Sequence, residues 1–236
     1  LLVERGLAKD LREAGALILA GVVRSGTRRI DKPGELLVRD ASLEVRARPP
    51  YVSRGGVKLA HALDVFAIDP RGWVALDGGA STGGFSDCLL QRGVSRVYAV
   101  DVGYGQLAWS LRNDERVVVM ERTNVRSLVA ADLDPRPRLV TADISFGSLT
   151  TLLPVLRDLV EDGGHLVVLV KPQFEVGREQ LYAGIVTDAD VRRKAVARVV
   201  EAGREAGLRC AGETESPIRG AEGNREFLLH LLRTPR

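Results

Sequence analysis

From residue 53 onward, short aliphatic runs alternate with helical segments, and that alternation leaves few folds open. Residues 74–77, 97–101, 117–121, 139–143 and 166–171 read as strands, because they are brief and apolar on both faces. Segments 85–91, 107–112 and 149–159 read as helices between them, with a further helix near 58–66 ahead of the first strand. Strands separated by helices predict a mostly parallel sheet, a Rossmann-like doubly wound α/β domain. A long helix is expected over 188–206, with Thr187 and Asp190 spaced as a capping box. Two last strands, near 209–214 and 227–232, have only a loop between them, so the final strand is expected to enter antiparallel.

Residues 1–47 read as a separate small α/β module. Leu11, Ala14, Leu17 and Ile18 fall at helical spacing, and Gly21 stands just past them as a stop. Val22-Val23, a turn at Ser25-Gly26-Thr27, and short strands near 36–38 and 43–45 follow. Arg48-Pro49-Pro50-Tyr51 reads as a stiff connection, since paired prolines favour an extended chain. The linker is therefore placed at 48–52 and the second domain at 53–236. Net charge is only +3, but residues 1–58 hold twelve Lys/Arg against seven Asp/Glu, whereas the rest hold 22 against 24. Arg12, Arg24, Arg28, Arg29 and Lys32 cluster around the first helix and hairpin, and Arg54 lies just past the linker. Such a cluster suits a polyanion backbone, although a chance surface imbalance also produces one.

Other function classes fall away on composition. The longest aliphatic runs are far short of the roughly 18–20 residues that a membrane span needs, and no signal-peptide pattern is visible. The sequence begins at Leu1 rather than Met, so a few native residues are expected before it. Cys88 and Cys210 are far apart, and neither belongs to a Cys/His cluster. Neither a disulfide framework nor a metal site is expected, and a cytoplasmic setting fits.

The first strand of the large domain runs into Asp77-Gly78-Gly79-Ala80-Ser81-Thr82-Gly83-Gly84-Phe85. In doubly wound sheets ligands bind beyond the carboxyl ends of the strands, and small residues there let the backbone approach them closely. A nicotinamide fingerprint needs Gly at i, i+2 and i+5. Counting from Gly78 the second position is Ala80, and from Gly79 it is Ser81, so the spacing fails. A phosphate-binding loop needs Lys-Ser or Lys-Thr after its last Gly, and Gly83 is followed by Gly84-Phe85. Adenosylmethionine fits the turn best; another nucleotide, or a plain strand–helix turn, stays open. Asp101 ends the next strand, where a carboxylate accepts from ribose hydroxyls, with Val102 beside it. Asn124 follows the third strand, where it can meet an adenine edge.

Lysine is scarce, at Lys9, Lys32, Lys58, Lys171 and Lys194. Unlike Arg, Lys can give up its proton inside a protein. Asp143 and Lys171 end the fourth and fifth strands, so they share an edge with Asp77. Glu226 begins the last strand and reaches the same edge if that strand is antiparallel. Lys58 approaches from the preceding helix. This set suits methyl transfer to a hydroxyl: the acceptor must be aligned and its proton taken. A lysine held neutral by burial and nearby cations can be the base, and Lys171 is the expected one, with Asp143 and Glu226 holding the two lysines. A purely structural ion pair at a strand edge also accounts for Lys171 and Asp143.

The chain resembles the TlyA family of ribosomal-RNA 2′-O-methyltransferases over nearly its whole length. The resemblance is carried by Ser53-Arg54-Gly55-Gly56-Val57-Lys58-Leu59, by Gly79 to Phe85, by Asp101-Val102-Gly103-Tyr104-Gly105-Gln106-Leu107-Ala108-Trp109 and by Glu121-Arg122-Thr123-Asn124. It continues in Asp143-Ile144-Ser145-Phe146, Val170-Lys171-Pro172-Gln173-Phe174-Glu175 and Gly223-Asn224-Arg225-Glu226-Phe227. The family's catalytic domain is similar to FtsJ-like ribose methyltransferases with a Lys-Asp-Lys-Glu set, which by match falls on Lys58, Asp143, Lys171 and Glu226. The resemblance also implies S-adenosylmethionine as donor, an S4-type RNA-binding module at residues 1–47, and cytidines of small- or large-subunit rRNA as acceptors. Departures lie mainly in the module: Asp10-Leu11 stand where Ser-Arg is usual, and Gly26-Thr27 replaces an Asn-Gly turn. Segment 178–184 also diverges.

Three rivals are weighed against this reading. A haemolytic pore former would need a spanning helix or amphipathic strands, and these strands read as buried and parallel. An RNA-binding protein with an inactive methyltransferase domain is disfavoured by the intact charged set. A base methyltransferase often carries an Asn-Pro-Pro-Tyr-like motif or a catalytic Cys, and Asp143-Ile144-Ser145-Phe146 occupies that place. His61 and His230 read as packing or surface residues, His165 as the start of a strand, and Trp109 as a packing residue in preference to a base-stacking one. Tyr51 is expected either to stack on RNA or to brace the two domains.

Overall fold

The computed structural model describes residues 1–19, 21–30, 32–45, 50–145, 147–220 and 222–234. Arg48 and Pro49 of the expected linker, and Phe146 of the Asp143-Ile144-Ser145-Phe146 segment, lie outside the described residues. The chain divides into two units, Leu1–Pro50 and Tyr51–Arg236.

In the first unit, α1 (Leu11–Leu19) precedes β1 (Val23–Ser25), β2 (Arg28–Arg29) and β3 (Glu44–Val45), which form an antiparallel sheet in the order β2-β1-β3. Gly21 follows α1 with φ +67°, a left-handed stop that costs glycine nothing. Ala14, Val23 and Ile30 are buried, and Leu17, Ile18, Leu37 and Leu43 pack against them. The strand expected near 36–38 is absent. Leu36 and Val38 point into solvent and only Leu37 packs inward, so the run has no ladder partner to satisfy its backbone. Leu11 of the expected apolar stripe is exposed as well.

The second unit begins with α2 (Gly55–Val65) and β4 (Val74–Gly78), then α3 (Gly84–Gln91), β5 (Arg96–Val100), α4 (Trp109–Arg112) and β6 (Val117–Met120). It continues through β7 (Leu139–Ala142), α5 (Leu153–Leu159), β8 (His165–Val170), α6 (Pro172–Glu175), α7 (Ala189–Glu205), β9 (Leu208–Glu215) and β10 (Phe227–Arg233). The seven strands lie in the order β6-β5-β4-β7-β8-β10-β9. The first five are parallel, and β10 runs antiparallel between β8 and β9. Alternate residues feed two cores. Leu76, Val140, Leu166 and Val168 face α5 and α7, meeting Leu153, Leu156, Val196 and Val199. Ala75, Val97, Leu139 and Val167 face α2 and α3, meeting Leu59, Leu63 and Leu89. Each fully buried leucine contributes roughly 1.5–3 kcal/mol, and this burial on both faces is what fixes the strand ends where the site forms. The long helix α7 is capped by Asp188, whose carboxylate accepts from the N–H groups of Asp190 and Val191 at 2.7 and 3.3 Å. The Thr187–Asp190 capping box expected from spacing gives way to it, because a carboxylate one residue nearer reaches two free N–H groups by itself.

Candidate active site

The strand order reverses beside β4: β5 and β6 lie to one side, β7 and β8 to the other. A crevice opens beyond the carboxyl ends of the strands at such a switch point. The glycine-rich elbow lies there. Gly79 and Ala80 N–H donate to Val100 O at 2.9 and 3.0 Å, turning the chain over the end of β5. Gly79 has φ +81°, and a Cβ there would stand 2.7 Å from the Asp143 carbonyl oxygen. Only glycine lets the elbow lie this close to the end of β7. At Gly84 a Cβ would strike Ser53 Oγ at 2.1 Å and Gly56 N at 2.9 Å. The first turn of α3 therefore seats directly on the first turn of α2, which carries Lys58 one turn further on.

A cavity of about 480 Å³ fills the crevice, within the range of small-molecule sites. Gly79, Ser81, Asp101, Val102, Asn124 and Asp143 all line it. Asp101 Oδ2 accepts from Ser81 N–H at 2.8 Å and Oδ1 from Gly103 N–H at 2.6 Å. These bonds fix the carboxylate and leave lone pairs for hydroxyl donors. Asn124 Oδ1 accepts from Arg126 N–H at 3.0 Å, so its Nδ2 is the group left to donate into the cavity.

Asp77, expected on the cofactor wall, is fully buried behind the elbow. Its Oδ2 accepts from Ser86 N–H at 2.9 Å and from Ser86 Oγ at 2.7 Å, and Oδ1 lies 3.4 Å from the Thr141 hydroxyl. It ties the first turn of α3 to β4. Burial pushes its pKa up to about 7; Asp143 adds to that, while the bonds from Ser86 and Thr141 oppose it. Gly78 and Gly83 also stand off the cavity walls; a Cβ at Gly83 would meet Leu111 at 2.2 Å, so its task is packing α4.

A second, polar opening of about 190 Å³ shares Gly79, Ser81, Asp143 and Ser145 with the first. It adds Ser53, Thr82, Gly84, Phe85 and Lys171. The four charged residues of the expected set come together as two pairs. Lys171 Nζ stands 2.6 Å from Asp143 Oδ1 and donates to Ser145 Oγ at 2.9 Å. Asp143 Oδ1 has no aligned hydrogen bond among the described residues, so its contact with Lys171 is ionic. Lys58 Nζ donates to Glu226 Oε2 at 2.6 Å, and both residues are buried. Neither lines the two openings. Their pair lies one layer behind, where removing one partner would cost roughly 3–5 kcal/mol. Phe227 pairs with Val170 in the ladder, so Glu226 and Lys171 follow at the same edge.

Sequence reasoning missed three positioning groups. Ser145 joins both openings and receives the Lys171 hydrogen bond. Arg126 reaches from the cavity wall to Thr151, donating to its carbonyl at 3.2 Å and its hydroxyl at 3.0 Å. Buried Glu175 accepts from Ser148 Oγ at 2.5 Å and Leu149 N–H at 2.8 Å, closing the loop that begins at Asp143. Ser145 and Arg126 each stand two residues past a selected one, and that proximity was the available signal. Trp109, expected to pack, is 78 % exposed. Tyr51 is half-buried against α2 at Gly56.

Of the basic residues in the first unit, Arg24 and Arg29 face each other across β1 and β2. Arg12, Arg28, Arg29 and Lys32 are exposed, as is Arg54 in the second unit. Arg28 pairs with Glu35, and Arg24 donates to Thr27 O at 2.9 Å. No helix of the described residues is long and apolar enough to cross a membrane, and among them no cluster of His, Cys, Asp and Glu could hold a metal.

A switch-point cavity walled by a fixed carboxylate, beside an opening lined by a lysine, fits an S-adenosylmethionine-dependent methyltransferase, and that is the class of this protein. Residues 51–233 match the FtsJ-like methyltransferase family, and the chain belongs to that family. It is 51 % identical to the Bacillus subtilis protein YqxC over 98 % of this chain and 83 % of that one. It is 47 % identical to the 16S/23S rRNA (cytidine-2′-O)-methyltransferase TlyA of Mycobacterium tuberculosis over 98 % of this chain and 87 % of the relative. A solved structure from Streptococcus thermophilus, described as a hemolysin, is similar at 42 % identity and a TM-score of 0.79, covering 99 % of this chain and 86 % of that one.

Proposed function

We propose that this chain transfers a methyl group to the ribose 2′-hydroxyl of cytidine in ribosomal RNA, with Lys171 as the base. One observation carries the reading: Lys171, held by Asp143 and Ser145, lines an opening that shares Gly79, Ser81, Asp143 and Ser145 with the cofactor cavity. The name of the Mycobacterium tuberculosis relative supports the acceptor. Asp101 would accept from the donor's ribose hydroxyls, Asn124 Nδ2 would meet its adenine, and the backbone at Gly79 would lie along it. When bound, S-adenosylmethionine supplies a methyl group already activated by its sulfonium. The residues have two tasks left: to align the hydroxyl and to take its proton, which Lys171 does once its ammonium has released its own proton to solvent. Ser145 and Asp143 fix the lysine amine on the wall nearest the acceptor. Glu226 and Lys58 neutralise each other behind it and add no net charge to that edge. The exposed cations Arg12, Arg28, Arg29 and Lys32, with the half-buried Arg24, make the first unit an S4-like RNA-binding module, and Arg54 of the second unit is a further RNA contact. Work on rRNA would place the protein in the cytoplasm.

The test is Lys171→Arg. Arginine keeps the charge beside Asp143 but cannot act as a base. Methyl transfer should fall by roughly 10²–10⁴-fold, with adenosylmethionine affinity unchanged. An arginine variant that retains wild-type turnover would reduce the Lys171–Asp143 pair to a structural role.

A further inference from the structure

Three aromatic side chains are mostly exposed among the described residues: Tyr104 (68 %), Trp109 (78 %) and Tyr182 (78 %). All three follow the carboxyl ends of parallel strands, Tyr104 and Trp109 after β5 and Tyr182 after β8. The other described Phe, Tyr and Trp residues are buried or half-buried. At the opposite edge, Trp73 is half-buried, covered by the Arg138 guanidinium at 4.4 Å and the His165 ring at 4.9 Å. Among the described residues, the bare rings thus all lie on segments that follow the carboxyl ends of parallel strands.

The backbone at Tyr182 is held firmly. Tyr182 and Ile185 exchange two backbone hydrogen bonds, each 2.9 Å, around a two-residue turn. Both central residues are left-handed, Ala183 at φ +47° and Gly184 at φ +80°. That is the tight hairpin form, and it costs an alanine about 1 kcal/mol or more. Asn224, almost wholly buried, clamps the turn: its Oδ1 accepts from Val186 N–H at 3.0 Å and its Nδ2 donates to Gly184 O at 2.9 Å. Two residues after Asn224 comes Glu226, beside Lys171 at the end of the ladder. The turn that diverges in sequence is therefore rigid and anchored to the reaction edge. Glu222 lies near Gly184, which disfavours a phosphate there and leaves the ring as the contact on offer. Across the cleft, Tyr104 is already stacked by the Arg122 guanidinium at 4.2 Å.

We propose that the acceptor RNA is gripped as an unpaired strand, with a base beside the target nucleotide stacked on Tyr182. This rests on the rRNA reading above. Unpaired bases offer a π-face to any exposed aromatic ring, and a ring carried on a fixed backbone turn has little backbone freedom to lose on stacking. A paired duplex would offer Tyr182 no such face.

The test uses the full chain, under-methylated ribosomal subunits, and a short oligocytidylate as competitor. Tyr182→Ala should raise KM for the subunits about tenfold, and weaken inhibition by oligocytidylate to match, from a stacking loss toward the lower end of the usual range. The dissociation constant for adenosylmethionine should not move. Tyr182→Trp should restore KM, whereas Tyr182→Leu, equally apolar but without a ring, should not. Wild-type KM in the Ala or Leu variant would overturn the proposal. So would a raised KM with unchanged oligocytidylate inhibition, since Tyr182 would then meet a ribosomal protein. If the wild-type chain itself methylates no RNA, the rRNA reading fails instead.

Discussion

Asp77 and His230 set opposite pH dependences on the same sheet. The Asp77 pKa is raised to about 7, above its unfolded value, so the folded protein holds the proton more tightly. Its stabilising contribution is complete below the unfolded value and is lost as pH rises through about 7. His230 is pushed down to about 4 by burial first, then by His165 and Arg209. Its ring stacks on His165 at 5.1 Å, and its contribution is lost as pH falls from about 6.5 toward 4. Asp77→Asn keeps an acceptor for Ser86 and removes the titration. Urea unfolding at pH 5 and pH 8 should show the variant losing less stability than wild type between them, by roughly 1–3 kcal/mol. An unchanged difference would mean that Asp77 is ionised throughout. His230→Phe should flatten the acid side in the same assay. At this scale the sequence was only partly legible. Asp143, Lys171 and Glu226 could be placed because strand ends share an edge. The inward turn of Asp77 could not, since a residue at a strand end can face the ligand or the helix behind it, and Ser86 decides which.

Among the elements, the elbow bears most of the constraint. At Gly79 both the positive φ and the 2.7 Å approach to the Asp143 carbonyl demand glycine. Gly79→Ala should cost about 1–3 kcal/mol of stability and lower adenosylmethionine affinity at least tenfold, because Ser81 and Asp101 must shift with the turn. Calorimetric titration with S-adenosylmethionine checks this, and wild-type affinity would contradict the placement of the elbow. The strand–helix alternation was readable because strands buried on both faces are aliphatic throughout, as Leu166 to Val170 are. Short pieces were not. Residues 36–38 have strand-like composition, yet two of their side chains face solvent, and composition does not reveal whether a partner strand is present. The cap of α7 was misjudged for a similar reason: Thr187, Asp188 and Asp190 are all capping residue types, and only backbone geometry selects Asp188.

At the scale of the molecule, charge is unevenly divided along the chain. The first unit's hairpin presents Arg24 and Arg29 as a cross-strand pair, whereas the second holds the cofactor cavity. Reversing both charges, Arg24→Glu with Arg29→Glu, should weaken rRNA binding at least tenfold and flatten its salt dependence, because each lost phosphate contact removes a counterion release. Adenosylmethionine binding should not change, and RNA affinity equal to wild type would remove the first unit from substrate recognition. The central claim, transfer to a ribose hydroxyl, has one direct measurement. The protein is incubated with methyl-labelled S-adenosylmethionine and under-methylated ribosomal subunits, and the RNA is digested with alkali. A 2′-O-methyl group blocks cleavage at the following phosphate, so the label is predicted in alkali-resistant dinucleotides containing cytidine. Label released in mononucleotides would mean methylation of the base and would contradict the account.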